Sequence, residues 1–401
     1  MIPHRDITLH RACRVCDAPL NDIYLDLGEQ PLANAFLAPT ELEQPEFTAP
    51  LQVALCARCG LSQLTVVVAP ERLYSNYIFL SSTSEPWKGH CDALAAAYTR
   101  EYGERKFVLE IGSNDGALLS IFKRYGHKVL GIEPAQNITE RVSVPTLALF
   151  WSADVARQVA SQYGKADLVI ATNVLGHVDN VRDFVLGIAH ALAPSGVACI
   201  ECPHIGPLLT LHAFDTIYHE HLSYWSLRPL ERLAEECGLF VFAAEPQKVH
   251  GGTMRYWLCP QKAAHFTDSL TSLWKHELRS CYREPTPYHE FGAAVAAARP
   301  ALVEAFASPG LHGWGASAKG NTLLNYVGAS LPVIYDDTPL KQGLRTPGRH
   351  IPVAALPTSL REVEALALLA WNWADELKVK AKMRDFRGRF LTPIPTPTWS
   401  E

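Results

Sequence analysis

The chain has 401 residues, too many for one compact core, so its length points to two or three domains. Hydrophobic residues make up 48% and charged residues 19%, the balance of an ordinary soluble globular protein. A net charge of -5 excludes the basic footprint of a nucleic-acid or anionic-membrane binder, and no apolar run reaches the ~18 residues of a membrane span. The N-terminal residues lack the apolar core of a signal peptide. Cys91, Cys199, Cys202, Cys237, Cys259 and Cys281 stand singly, as reduced thiols do, so a cytoplasmic location is expected.

The first block, residues 1–84, carries Cys13-x-x-Cys16 and Cys56-x-x-Cys59. Four thiolates in two knuckles suit tetrahedral zinc, and four protein sulfurs leave no position open for chemistry. The 39 residues between the pairs exceed the usual ribbon spacing, but a structural zinc site remains the expectation. A redox dithiol is the lesser alternative, since neither pair sits in a strand–helix context.

The second block, residues 85–258, alternates helices and strands. A helical stretch from Cys91 leads into strands at Lys106–Ile111, Lys128–Ile132, Asp167–Ala171 and Gly196–Glu201. This is the pattern of βαβ units in a parallel, Rossmann-like sheet. The loop after the first strand contains Glu110, Gly112, Asn114, Asp115 and Gly116. Asn114 and Ala117 occupy the places where a dinucleotide fingerprint requires glycine. The loop therefore suits a nucleoside without a pyrophosphate, as in the S-adenosylmethionine site of class I methyltransferases. Glu133 ends the next strand as the acceptor for ribose hydroxyls, and Asn173 and His177 follow the third strand, where ligands bind in such folds.

An aromatic-rich insertion, Pro203–Trp225, brings Tyr218, His219, Glu220, His221 and Tyr224 into one short stretch. Histidine titrates near neutrality, a carboxylate can orient it, and a tyrosine hydroxyl can stabilise an oxyanion. Residue chemistry alone leaves catalysis, a metal site and a polar surface loop open, and does not choose between the two histidines. Strand-like runs follow at Gly238–Ala243 and Val249–Leu258.

The third block, residues 259–401, opens with a polar helical stretch and repeats the strand–loop–helix theme at Leu311, Pro332 and Ala365. It reads as a smaller Rossmann-like α/β domain. The basic stretches Lys378–Lys382 and Arg384–Arg389 read as solvated helix faces, and the Pro-rich tail as an extended segment.

Taken together, the motifs resemble the zinc-containing sugar C-methyltransferases of deoxysugar biosynthesis, which methylate C3 of nucleotide-linked 4-keto sugars. The resemblance runs through the cysteine pairs, Asp26–Asn34, Tyr77–Ser84, Glu110–Gly116, Asn173–Asp179, Tyr218–Tyr224, His250–Arg255, Gly315–Thr322 and Asp336–Pro352. It implies S-adenosylmethionine and structural zinc as cofactors, with His221 as the base at C3 and Glu220 beside it. Tyr218 and His177 are implied near the sugar ketone, with Tyr77 reaching into the site. The C-terminal lobe is implied to help enclose the nucleotide-sugar, with Lys319 and Asn321 as candidate substrate contacts there and Arg255 as a third in the second block. A monomer is expected. A sugar O-methyltransferase, an NAD-dependent sugar dehydrogenase and a non-catalytic zinc adaptor are the competing readings.

Overall fold

The computed structural model describes residues 6–74, 85–140, 142–249, 251–261 and 267–401. Tyr77 lies outside the described residues, as does the rest of the Tyr77–Ser84 motif. Strand β1 (Ile7–Leu9) pairs antiparallel with β5 (Val66–Val68). Between them, β2 (Asp22–Pro31), β3 (Thr48–Leu55) and β4 (Ser62–Leu64) form an antiparallel sheet. Leu25 and Leu27 of β2 and Leu51 and Val53 of β3, two residues apart on each strand, give this sheet a buried face.

The central sheet contains β6 (Phe107–Ile111), β7 (Lys128–Ile132), β8 (Thr146–Leu147), β9 (Ala166–Thr172) and β10 (Leu192–Pro203), all parallel. Two later strands, β12 (Phe240–Gln247) and β13 (Thr253–Cys259), complete it antiparallel. The strand order is β12-β13-β10-β9-β6-β7-β8, so the chain moves to one side after β6 and returns to the other with β9. That reversal opens a crevice at the carboxyl ends of β6 and β9, where loops part to opposite faces. Buried Val, Leu and Ile fill β6 and β9 because helices cover both faces of the sheet.

Strand β11 (Ser223–Tyr224) belongs to neither half of that plan. It pairs with β4, so the segment after His221 completes the N-terminal sheet in the order β11-β4-β3-β2. The first block is thus closed by residues far down the chain.

In the third block, β14 (Leu311–Trp314), β15 (Ile334–Tyr335), β16 (Val353–Ala354), β17 (Ala365–Leu368) and β18 (Arg389–Thr392) form a second parallel sheet. The tail departs from the extended-segment expectation: Thr398–Ser400 forms β19 and pairs antiparallel with β18. Three prolines confine the turn, and the hairpin satisfies an otherwise open sheet edge. The second basic stretch is likewise no helix face, because Arg389 opens β18 and stacks over Trp399.

Helix Thr286–Phe306 packs across β2, where Gly292 comes so close that a Cβ there would lie 2.0 Å from the Tyr24 carbonyl oxygen. Backbone cannot yield as a side-chain tip does, so overpacking should cost about 1–3 kcal/mol or more. Gly292→Ala is expected to lower the denaturant midpoint accordingly, and an unchanged midpoint would show that helix and strand are not so closely apposed.

Candidate active site

Each cysteine knuckle is a tight turn. The Asp17 N–H donates to the Cys13 carbonyl at 2.9 Å and the Gly60 N–H to the Cys56 carbonyl at 2.8 Å, with left-handed φ of 57° and 82°. The turns bring four buried Sγ atoms within 4.8 Å of one another, with Cys13–Cys59 and Cys16–Cys56 each at 3.5 Å. A zinc ion with Zn–S bonds of ~2.3 Å needs sulfurs roughly 3.8 Å apart, so the donor set fits with shifts of no more than about 1 Å.

The cofactor loop begins where β6 ends. Gly112 has φ 68° and donates to the Ile132 carbonyl at 2.8 Å, and a Cβ there would lie 2.5 Å from Val174 Cγ2. Gly116, φ 74°, caps helix Ala117–Arg124, and its Cβ would strike Val144 and Val142. Only glycine suits both positions. Asn114 between them is also left-handed, at φ 49°. Glu133 accepts the Asn114 N–H and the Ala135 N–H, each at 2.9 Å, one on each carboxylate oxygen. Each oxygen keeps one lone pair for a ligand hydroxyl.

Glu110 is buried in β6, and its Oε2 accepts no hydrogen bond among the described residues. Burial raises its pKa well above the ordinary carboxylate range, and the neighbouring charges of Glu133 and Asp115 add to this. A loop lined by three carboxyl groups, which ionise more readily beside a positive charge, suits a cationic nucleoside better than a pyrophosphate. Asn173 ends β9 with φ 56°, its N–H held by the Glu201 carbonyl at 2.7 Å. The residues expected around the cofactor thus converge on the crevice between β6 and β9.

The Tyr218–His221 stretch separates into two sides. His219 is buried, its Nε2 3.2 Å from the Ala49 carbonyl, and burial pushes it down to about 4. Glu220 is buried too, accepts from Asn34 Nδ2 at 2.7 Å, and is pushed up to about 7 by burial. Tyr218 and His221 are partly open, with ring centroids 4.0 Å apart. The His177 ring meets His221 edge-on at 4.9 Å, and desolvation lowers His177 to about 4. His221 Nδ1 lies 2.7 Å from the Thr216 carbonyl, an acceptor only, so Nδ1 carries the proton and Nε2 becomes the basic nitrogen. The group that orients His221 is therefore a backbone carbonyl; the Glu220 carboxylate turns to Asn34 instead.

The C-terminal lobe reaches the same segment from behind. Trp371 Nε1 donates to Asp215 Oδ2 at 2.6 Å, one residue before Thr216. Lys319 lies over the Trp371 ring at 5.1 Å, and burial lowers its pKa against the opposing pull of Asp215. The other two candidate substrate contacts hold protein to protein. Asn321 is buried and donates to the Ala33 carbonyl at 2.7 Å. Arg255 is buried in β13, where its Nε donates to Glu201 Oε1 at 2.5 Å while His90 holds the other oxygen at 2.8 Å. Thr216, Asp215 and Trp371 carry no motif of their own, and Asn34 enters only as the end of the Asp26–Asn34 match, so sequence reasoning gives none of them a role in the site.

Residues 13–74 match a family model described as a zinc binding domain, residues 89–243 a methyltransferase domain, and residues 248–395 a C-methyltransferase C-terminal domain. The C-methyltransferase NovU of Streptomyces niveus is 32% identical, with 96% of each chain covered. A ubiquinone biosynthesis O-methyltransferase of Bartonella bacilliformis is 29% identical over 97 residues, 23% of this chain and 39% of that protein. Among solved structures, magnesium protoporphyrin IX methyltransferase of Synechocystis PCC 6803 has a TM-score of 0.34 at 10% identity, covering 43% of this chain and 79% of its own. Among the described residues no helix is long and apolar enough to cross a membrane. Full-length likeness to a C-methyltransferase, three matching domains, a buried four-cysteine cluster and a carboxylate-lined nucleoside loop agree: the chain belongs to the zinc-containing, S-adenosylmethionine-dependent C-methyltransferases.

Proposed function

We propose that this enzyme methylates C3 of a nucleotide-linked 4-keto-6-deoxysugar, with His221 as the base and the cytoplasm as its compartment. The observation that carries the reading is the Nδ1–H of His221 on the Thr216 carbonyl, which turns Nε2 into a proton acceptor beside Tyr218 and His177. Carbon becomes nucleophilic only after losing a proton next to a carbonyl, and such a substrate needs one base and one oxyanion donor held together.

His221 Nε2 removes the C3 proton in this scheme. His177, neutral at physiological pH because of its desolvation, donates a hydrogen bond without surrendering a full proton. Tyr218 supplies a second donor for the enolate oxygen. Bound S-adenosylmethionine provides the electrophilic methyl. Asn34 and Ala49 grip Glu220 and His219, so that Tyr218 and His221 are the members left facing the site. Lys319, at the first turn of helix Ala318–Val327, is the residue of the C-terminal lobe suited to a diphosphate. The chain is read as acting as a monomer, and Tyr77 is read as a further contact to the sugar.

His221→Asn should lower turnover by at least about 100-fold, the lower range for a general base, while calorimetry finds S-adenosylmethionine binding unchanged. Full activity of that variant with a 4-keto sugar would remove His221 from the role. Mass spectrometry over a small panel of nucleotide 4-keto sugars, with deuterium washout at C3, tests the substrate class. Methylation without washout would point to an oxygen acceptor.

Glu220 yields a separate expectation. Its rise from 4.5 to about 7 means that the folded chain holds a proton there which the unfolded chain releases between those values. The stabilisation is present at acid pH and fades as pH rises through about 7. Glu220→Gln keeps an acceptor for Asn34 and should flatten this decline. Urea midpoints at about pH 5 and about pH 8 should therefore differ less in the variant than in wild type, and equal declines would refute the raised carboxyl.

A further inference from the structure

We propose that the first zinc knuckle is a positioning element for the active site, with Arg14 setting the turn that carries His177 through Asp179. The inference rests on the catalytic reading of the histidine pair given above.

Arg14 sits between the ligands Cys13 and Cys16, and its side chain is fully buried. It does not stay within its own module. Its Nε donates to Asp179 Oδ1 at 3.0 Å, across to the loop after β9. Its Nη1 donates to the Gln63 side chain at 3.1 Å and the Leu64 carbonyl at 2.9 Å, and its backbone N–H also meets Gln63, at 3.0 Å. His10 adds a second contact to Asp179 at 3.0 Å. Asp179 lies two residues beyond His177, at the exit of the turn Leu175–His177.

The same patch of the N-terminal module holds the other histidine. Strand β4 starts three residues after Cys59, and its Gln63 and Ser62 pair with Ser223 and Tyr224. The Leu64 N–H donates to the Leu222 carbonyl at 3.0 Å, next to His221. Gly176 closes the arrangement: a Cβ there would lie 3.3 Å from the Ser223 carbonyl, so the His177 turn rests directly on β11. Both histidine-bearing segments are therefore seated on residues fixed by the knuckles, Arg14 on one side and Ser62–Leu64 on the other. A rigid guanidinium held on β4 by Nη1 and reaching Asp179 with Nε transmits position better than a flexible contact does.

The test is Arg14→Ala and, separately, Asp179→Asn, which lies outside the zinc module if the first variant loses its metal. Imidazole nitrogen NMR, assigned with His177→Ala and His221→Asn, reports ring geometry independently of catalysis. Expected are displaced His177 signals in both variants, one zinc per chain, unchanged S-adenosylmethionine binding, and a kcat lower by roughly tenfold or more. In a His177→Ala background the Arg14 substitution should cost little further turnover, because both act through one ring. Unmoved ring signals in both variants, or a kcat loss of equal factor in the His177→Ala background, would overturn the proposal. Displaced rings with turnover intact would sustain the positioning role and overturn the catalytic reading instead.

Discussion

Two residues of backbone pairing, Ser223 and Tyr224 against Gln63 and Ser62, bind the central block of this enzyme to its N-terminal sheet. The pairing fixes the end of the Tyr218–His221 segment on the N-terminal sheet. Its beginning is fixed by Trp371 of the C-terminal lobe, which holds Asp215. Between the two anchors the chain has little freedom, and its side chains divide between two sides. His219 and Glu220 turn into protein, while Tyr218 and His221 stay partly open, with His221 against the His177 ring. A site assembled from three lobes gains orientation that a single mobile loop could not supply.

Electrostatics divides the crevice into two halves. Around the cofactor loop, Glu110, Asp115 and Glu133 lie close enough for their charges to oppose one another, a surrounding that suits a sulfonium and an ammonium. On the histidine side burial works toward neutrality, depressing His177 and raising Glu220. A fixed charge there would compete with the substrate for the proton donors. Burial raises Glu110 and Glu133 as well, and an entering cation would draw the cofactor loop's carboxyls back to their charged form.

Much of this was legible in the sequence because it depends on near neighbours. The glycines at 112 and 116 announce a strand-to-helix turn, and the structure gives both a left-handed φ. Cysteine spacing announces the knuckles, since each is closed by its own backbone. What escaped depends on partners remote in the chain. Residue chemistry cannot separate His219 from His221, because the choice is made by the carbonyls of Ala49 and Thr216. Arg255 and Asn321 have the side chains of substrate contacts but are committed to Glu201 and Ala33. The tail carries prolines that suggest an extended segment, yet the edge of β18 recruits it as a strand.

The borrowed strand also has a consequence for synthesis. Strands β2 to β4 have all emerged once residue 64 leaves the ribosome, but their sheet keeps an open edge until residue 224 follows. At ordinary translation speeds of roughly 5–20 residues per second, that interval lasts on the order of 10–30 s. Throughout it the backbone groups of β4 can pair with a neighbouring nascent chain as readily as with their own later segment. The zinc knuckles flank this strand and can close first, needing only residues 13 to 59. The cysteine knuckles thus stand ready to order the half-built sheet into a template on which Ser223 and Tyr224, still unmade, will be laid.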